Sequence, residues 1–169
     1  MLLRPLFLLC LPFGLAGCAA LESLMNPLTP SDGASAAFVL SGQGVQLFQC
    51  TSDAAGRYWR FIAPDTRLTD AQGRLVARQG SDGSFFAEDD SALSAKIVRY
   101  AQDSPAEDLR DLLYQTSPRG KQGVLSDIVY VKRSNGKGGV PLTRCSPSQL
   151  GSTLKVPFTA TYTFYRQKP

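Results

Sequence analysis

Near the carboxyl end, Leu154, Val156, Phe158, Ala160, Tyr162 and Phe164 fall on alternate positions, with Lys155, Pro157, Thr159, Thr161, Thr163 and Tyr165 between them. Period two over such a length predicts a long, half-buried antiparallel strand. Pro157 has no N–H to give a ladder, so that end is expected at a strand start or a sheet edge. Upstream, short apolar stretches alternate with turn residues. Val45–Thr51 leads into Ser52-Asp53 and Gly56, and Tyr58–Ala63 is closed by Pro64-Asp65. Arg67–Thr69 and Arg74–Arg78 flank Asp70-Ala71-Gln72-Gly73, a hairpin-like turn with Asp first and Gly last. Further stretches follow at Ser84–Ala87, Ala95–Ala101, Leu112–Thr116 and Val124–Arg133. Turn signals every ten residues or so predict an all-β fold, an antiparallel β-sandwich or a partly open barrel. At most one short helix is expected. Ser104-Pro105-Ala106-Glu107 has the form of a capping box, so the segment 104–116 reads as a short helical turn followed by a strand, or as a turn leading straight into one.

The amino-terminal pattern differs. Arg4 is the only charge before Glu22, and Leu6–Leu11 with Phe13–Leu15 forms an apolar stretch too short for the ~20 residues of a spanning helix. It ends in small residues and a cysteine, as a cleaved export signal does. Leu15-Ala16-Gly17-Cys18 resembles the bacterial lipobox, which implies cleavage before Cys18 and lipidation of that cysteine. Two or three acyl chains anchor stably where one does not. Ala19 follows in place of Asp, which by the lipoprotein sorting rule implies the outer membrane, facing the periplasm. Residues 1–17 are thus expected to be a signal peptide. Residues 18–36, rich in Pro, Ser and Gly, would be the lipidated cysteine and a flexible tether, and residues 37–169 a single β domain.

Composition narrows the chemistry. The chain has no histidine, four cysteines and a net charge of +4, with 19% charged and 43% hydrophobic residues. That balance suits a globular domain. The missing imidazole excludes Ser–His and Cys–His catalysis and histidine metal ligands. The mild positive charge does not point to nucleic acid, and export argues against it. Cys10 would leave with the signal and Cys18 would carry lipid. Cys50 and Cys145 would then remain in an oxidising compartment, either as one intrachain bond closing a loop of about 95 residues or as two buried thiols.

Two clusters could carry chemistry. Glu88-Asp89-Asp90 is the densest acidic run. It reads either as a calcium or carboxylate-pair site or, since neighbouring strand residues point to opposite faces, as a solvated turn. Lys132, Arg133, Asn135, Gly136, Lys137, Gly138 and Gly139 form a basic, glycine-rich stretch, either an anion-binding loop or an ordinary strand connection. Trp59 and Phe61 share a predicted strand face and are expected in the core, with Tyr58 and Arg60 outside. No Gly-x-Ser-x-Gly elbow, Ser-x-x-Lys pair or metal-ligand spacing occurs. No catalytic residue, metal or cofactor is therefore expected.

Several pieces, in order, resemble the family known as domain of unknown function 3455, found in bacteria and fungi. They are Gly42-Gln43-Gly44-Val45-Gln46-Leu47-Phe48-Gln49-Cys50, Tyr58-Trp59-Arg60-Phe61-Ile62-Ala63-Pro64 and Leu68-Thr69-Asp70-Ala71-Gln72-Gly73-Arg74-Leu75-Val76. Ile128-Val129-Tyr130-Val131-Lys132-Arg133, Gly138-Gly139-Val140-Pro141 before Cys145, and Val156–Tyr165 complete the set. The resemblance implies a mostly β, extracytoplasmic domain with Cys50 and Cys145 at the two positions the family uses, and a histidine where Gln79 stands here. It implies no activity. The function expected is that of a lipid-anchored, non-enzymatic envelope module, touching the membrane through its anchor and binding an envelope protein or anionic envelope component. A hydrolase of envelope polymers using the acidic run is the alternative.

Overall fold

The computed structural model describes residues 28–30 and 33–168. The expected signal peptide and the lipidation site Cys18 lie outside the described residues. Eight strands follow in order: β1 (Ser35–Asp53), β2 (Gly56–Thr69), β3 (Leu75–Gln79), β4 (Phe85–Ala87), β5 (Ser91–Tyr100), β6 (Leu112–Gly120), β7 (Ile128–Gly138) and β8 (Thr153–Arg166). Each pairs antiparallel with the next and β8 returns to β1, so the sheet is a closed up-and-down barrel. The all-β expectation holds, and of the two architectures it is the barrel that forms, closed and not partly open. Strand length accounts for the closure. β1 runs for 19 residues and pairs with β8 from Ser35↔Arg166 to Gln49↔Thr153 while holding β2 on its other side. Bulges at Ala36/Phe38 and Leu47/Phe48 bend this long strand around the ring.

The period-two pattern of β8 maps onto the barrel as expected. Phe158, Ala160, Tyr162 and Phe164 are buried inside, while Lys155, Pro157 and Thr159 are exposed. Pro157 lies one residue beyond Gly138↔Phe158, where pairing with β7 stops, so its missing N–H breaks no ladder on that side. The Asp70–Gly73 turn joins β2 to β3. Asp70 Oδ1 accepts from the N–H groups of Gln72 and Arg74 at 2.9 Å, and Gly73 takes φ +78°, open to glycine at no steric cost. Segment 104–116 contains one turn, closed by the Asp108 N–H on the Pro105 carbonyl at 3.1 Å, and then β6. The only helical element among the described residues is a 3-10 turn at Pro147–Gln149.

The two ends of the barrel are filled differently. At the end where β1 starts and β8 finishes, Phe85 meets Tyr114, Tyr162 and Phe164 edge-on at 5.7–6.1 Å. Leu93, Leu125, Ile128 and Val131 complete a core with no exposed surface. Leu125 belongs to the β6–β7 connection and plugs this end. The Asp89 carboxylate accepts from the Val124 N–H at 2.7 Å, and Ser91 Oγ accepts from the Leu125 N–H at 3.2 Å. At the opposite end Cys50 of β1 and Cys145 of the β7–β8 connection form a disulfide, S–S 1.98 Å. With a sequence separation of 95, it removes chain entropy worth about 4.5 kcal/mol from the unfolded state.

The segment 28–36 is not all free tether. Leu28 is 3% exposed and packs outside the barrel on Leu113 and Tyr130, and the barrel begins at Ser35.

Midway along β1, Gly42 leaves the space the Tyr162 ring fills, since a Cβ at Gly42 would overlap that ring. Substitution Gly42→Val should therefore cost about 1–3 kcal/mol through overpacking, read as a lowered urea midpoint with an unchanged slope. An unaltered midpoint would show that the ring has room to move.

Candidate functional site

The half of the barrel beyond Tyr162 is not filled. Beside Phe48 and Phe158, its inward positions carry small or polar side chains: Gly44 and Gln46 on β1, Thr66 on β2, Gln79 on β3, Ala95 on β5 and Arg133 on β7. A cavity of about 710 Å³ results, the size range of a small-molecule site. Phe48, Leu112 and Tyr114 line its wall. Phe61 and Ile97 sit at the rim, 50% and 49% exposed. Phe61 meets Phe48 edge-on at 5.8 Å.

Phe61 was expected in the core and is not there, and Trp59 is only half-buried. The reason is topological. β3 pairs with β2 only over Thr66–Thr69, so Gly56–Asp65 extends past the ring as a ribbon with β1 and has no opposing sheet to pack on. The Leu47/Phe48 bulge then sets Phe61 opposite Phe48 at the mouth. Tyr58 and Arg60 are exposed, as expected.

The cavity floor is polar and buried. Gln79, 2% exposed, accepts from the Tyr162 hydroxyl at 3.2 Å and donates through Nε2 to the Gly83 carbonyl at 3.2 Å. Burial drives the Tyr162 hydroxyl far above its usual pKa, with the Arg133 charge beside it acting in the opposite direction, so the phenol stays neutral. Arg133, 6% exposed, donates from Nη2 to the Arg110 carbonyl at 2.9 Å. Its Nε has no partner, and neither has Gln46 Nε2 or Thr66 Oγ1. Buried polar atoms without partners are rare, because each carries its desolvation cost uncompensated.

The basic stretch Lys132–Gly139 is strand for most of its length and not a loop, and strand alternation separates its charges. Arg133 points into the barrel, opposite Tyr162 on β8 and Leu112 on β6. Lys132 lies on the other face, and Lys137 pairs with Asp108 at 2.8 Å. Asn135, at φ +55°, and Gly136 form a bulge between Ser134 and Lys137. Leu109 of the β5–β6 loop packs against Gly136 and Gly139, where a Cβ would collide with it. Asp108 pins that loop over the mouth by accepting from the Gly138 N–H at 2.8 Å, while the Leu109 N–H donates to the Gly138 carbonyl at 2.9 Å.

The acidic run does not converge. Glu88 faces Arg78 at 3.7 Å and Asp90 pairs with Lys121 at 2.7 Å. Asp89 binds Ser91 Oγ and the backbone at Val124. Among the described residues no three His, Cys, Asp or Glu side chains gather as a metal site. Gln46 and Thr66 went unnoticed in the sequence. The signal was present: Leu40, Gly42, Gly44, Gln46 and Phe48 alternate on one face of β1, placing a polar residue among core positions.

Fold and cavity together define an up-and-down barrel with one packed end and one hollow end. The chain belongs to the family described as Protein of unknown function (DUF3455), whose model matches residues 75–166, from the start of β3 to the end of β8. Gln79, where the resemblance implied histidine, stands on the cavity floor within that match. No curated protein and no solved structure matches the chain.

Two carboxylates hold the ends of the barrel in their charged forms. The Ser91 hydroxyl, then the Val124 and Ser91 N–H groups, lower the Asp89 pKa, and Lys137, then the Gly138 N–H, lowers that of Asp108. A depressed folded pKa contributes stability above the unfolded value of about 3.9 and loses it as pH falls through the folded value. Urea midpoints should therefore drop below about pH 4, and Asp89→Asn should flatten that drop. An identical acid profile in the variant would refute the Asp89 assignment.

Proposed function

We propose that this chain is a non-enzymatic binding barrel, lipid-anchored through Cys18 in the bacterial envelope at the outer membrane and facing the periplasm, that holds a small molecule in its hollow end. The observation that carries the binding reading is the 710 Å³ cavity, apolar at its mouth and lined at its floor by buried polar groups without partners. Eight strands give a barrel just wide enough for side chains to fill or for one small ligand. Here side chains fill one half only. The anchoring reading is supported by the lipobox-like Leu15-Ala16-Gly17-Cys18 after a short apolar stretch. Docking of Leu28 on the barrel wall leaves the nine residues 19–27 between it and Cys18 as spacer, so the barrel would stand within about 35 Å of the bilayer surface.

Cys18→Ser should move the protein from the membrane to the soluble fraction of lysed cells; continued sedimentation with membranes would refute lipidation there. For the cavity, the neutral fluorophore N-phenyl-1-naphthylamine should brighten on addition of the Cys18→Ser chain. A further Ala95→Phe change, which places a ring in the cavity, should weaken that binding at least tenfold, on the order of the area lost. Equal brightening with and without the ring would place the probe elsewhere and remove the cavity from the proposal.

A further inference from the structure

We infer that the hollow end takes an apolar monocarboxylate, its carboxylate seated on Arg133 and its hydrocarbon body running out past Phe48 to Phe61 and Ile97; the inference rests on the cavity reading and names its ligand class. Among the described residues Arg133 is the only buried cationic side chain, and none of the ion pairs includes it. The other charges lining the cavity do not neutralise it. Asp82 is committed to Ser84 Oγ at 2.8 Å and Arg119 at 3.4 Å. Asp108 is committed to Lys137 and the Gly138 N–H. Arg110, at the mouth, is a second cation and stacks on Tyr100 at 5.9 Å.

A buried guanidinium without a counter-ion is costly, and the cost falls when an anion completes the pair. Arg133 Nε and Gln46 Nε2 are both buried N–H donors without acceptors, and both residues line the cavity. One positive charge with two vacant donors suits one negative charge on two acceptor oxygens, which is a carboxylate. A phosphate dianion would bring a second charge and a third oxygen that the floor does not match. The neutral Tyr162 hydroxyl is already donated to the Gln79 amide oxygen, so neither is left to take the anion's charge. Phe48, Pro64, Ala95, Leu112 and Tyr114 form an apolar wall beside the committed Asp82 and Asp108, so the rest of the ligand is hydrocarbon, aliphatic or aromatic.

The test compares matched pairs on the full chain with its disulfide formed and Cys18→Ser to keep it off membranes. Decanoate against decanol, and 2-naphthoate against 2-naphthol, are titrated calorimetrically below their micellar range, with decyl phosphate and decylammonium as further arms. At least one carboxylate should bind tenfold or more tightly than its alcohol, the ratio expected of a desolvated charge-assisted pair. Arg133→Gln should abolish that ratio while keeping the alcohol's affinity, and Arg133→Lys should restore part of it. Near-UV circular dichroism must match between variants, which separates loss of the charge from loss of the fold. Equal binding of acid and alcohol, or tighter binding of decyl phosphate or decylammonium, would overturn the assignment while leaving the cavity reading intact. Binding of no arm, with the neutral fluorophore also silent, would overturn both.

Discussion

The pairing of β1 with β8 is the interaction on which everything else in this molecule depends. Because it runs from Ser35↔Arg166 to Gln49↔Thr153, the sheet has no free edge along the ring, and every inward side chain faces the same enclosed space. What fills that space is then decided by alternate residues of eight strands. At one end these are Phe38, Phe85, Leu93, Val131 and Phe164, and the space is full. At the other they are Gly44, Gln46, Ala95 and Gln79, and it is not. The cavity is thus a consequence of closure combined with small and polar residues at inward positions, and no separate binding domain is needed to build it.

Those inward polar residues impose a cost that the packed end must offset. Each buried donor without an acceptor loses roughly 1–3 kcal/mol relative to its hydrated state, and a guanidinium loses more. Part of the burden is relieved locally. Gln79 satisfies Tyr162, and Arg133 finds the Arg110 carbonyl. Among the described residues three side-chain atoms stay unrelieved, and two of them, on Gln46 and Arg133, belong to the cavity lining. A domain selected for stability alone would carry leucine at such positions. Confining the uncompensated donors to one end, above the Tyr162 ring and away from Phe85 and Leu125, keeps them from disturbing the core.

Much of the scaffold was legible in the chain. The alternation of Leu154–Phe164, the Asp70–Gly73 turn and the pairing of Cys50 with Cys145 all appear where the pattern put them. These features are local in sequence, or depend on counting, and so survive without three-dimensional information. The site was less legible because it arises from closure. Nothing within β7 alone distinguishes Arg133, turned inward, from Lys132, turned outward, and reading them as one basic cluster merged two faces of a strand. Phe61 failed for the complementary reason. Its alternation is that of a core residue, but the short β3 ends before it can cover that stretch of β2. Whether an alternating strand has anything to pack against is a property of its neighbours' lengths, which periodicity does not encode.

A hollow end also has to be held open, and hydrophobic packing cannot do this where there is nothing to pack. The disulfide and one ion pair serve that end. The Cys50–Cys145 bond fastens the β7–β8 connection to β1, with the Cys50 N–H on the Ser152 carbonyl at 2.9 Å and the Gly151 N–H on the Cys50 carbonyl at 3.0 Å reinforcing it. Asp108 and Leu109 fasten the β5–β6 loop to the end of β7 through Lys137 and Gly138. Both ties join segments across the rim without crossing the cavity, so they fix its shape and leave its volume free. At the packed end Asp89 to Val124, Asp90 to Lys121 and Asp127 to Arg166 hold a plug whose Leu125 is itself buried in the core. Both ends therefore carry ties, and what separates them is burial: the filled end has its ties and a packed core, whereas the hollow end has only the cross-links around its margin.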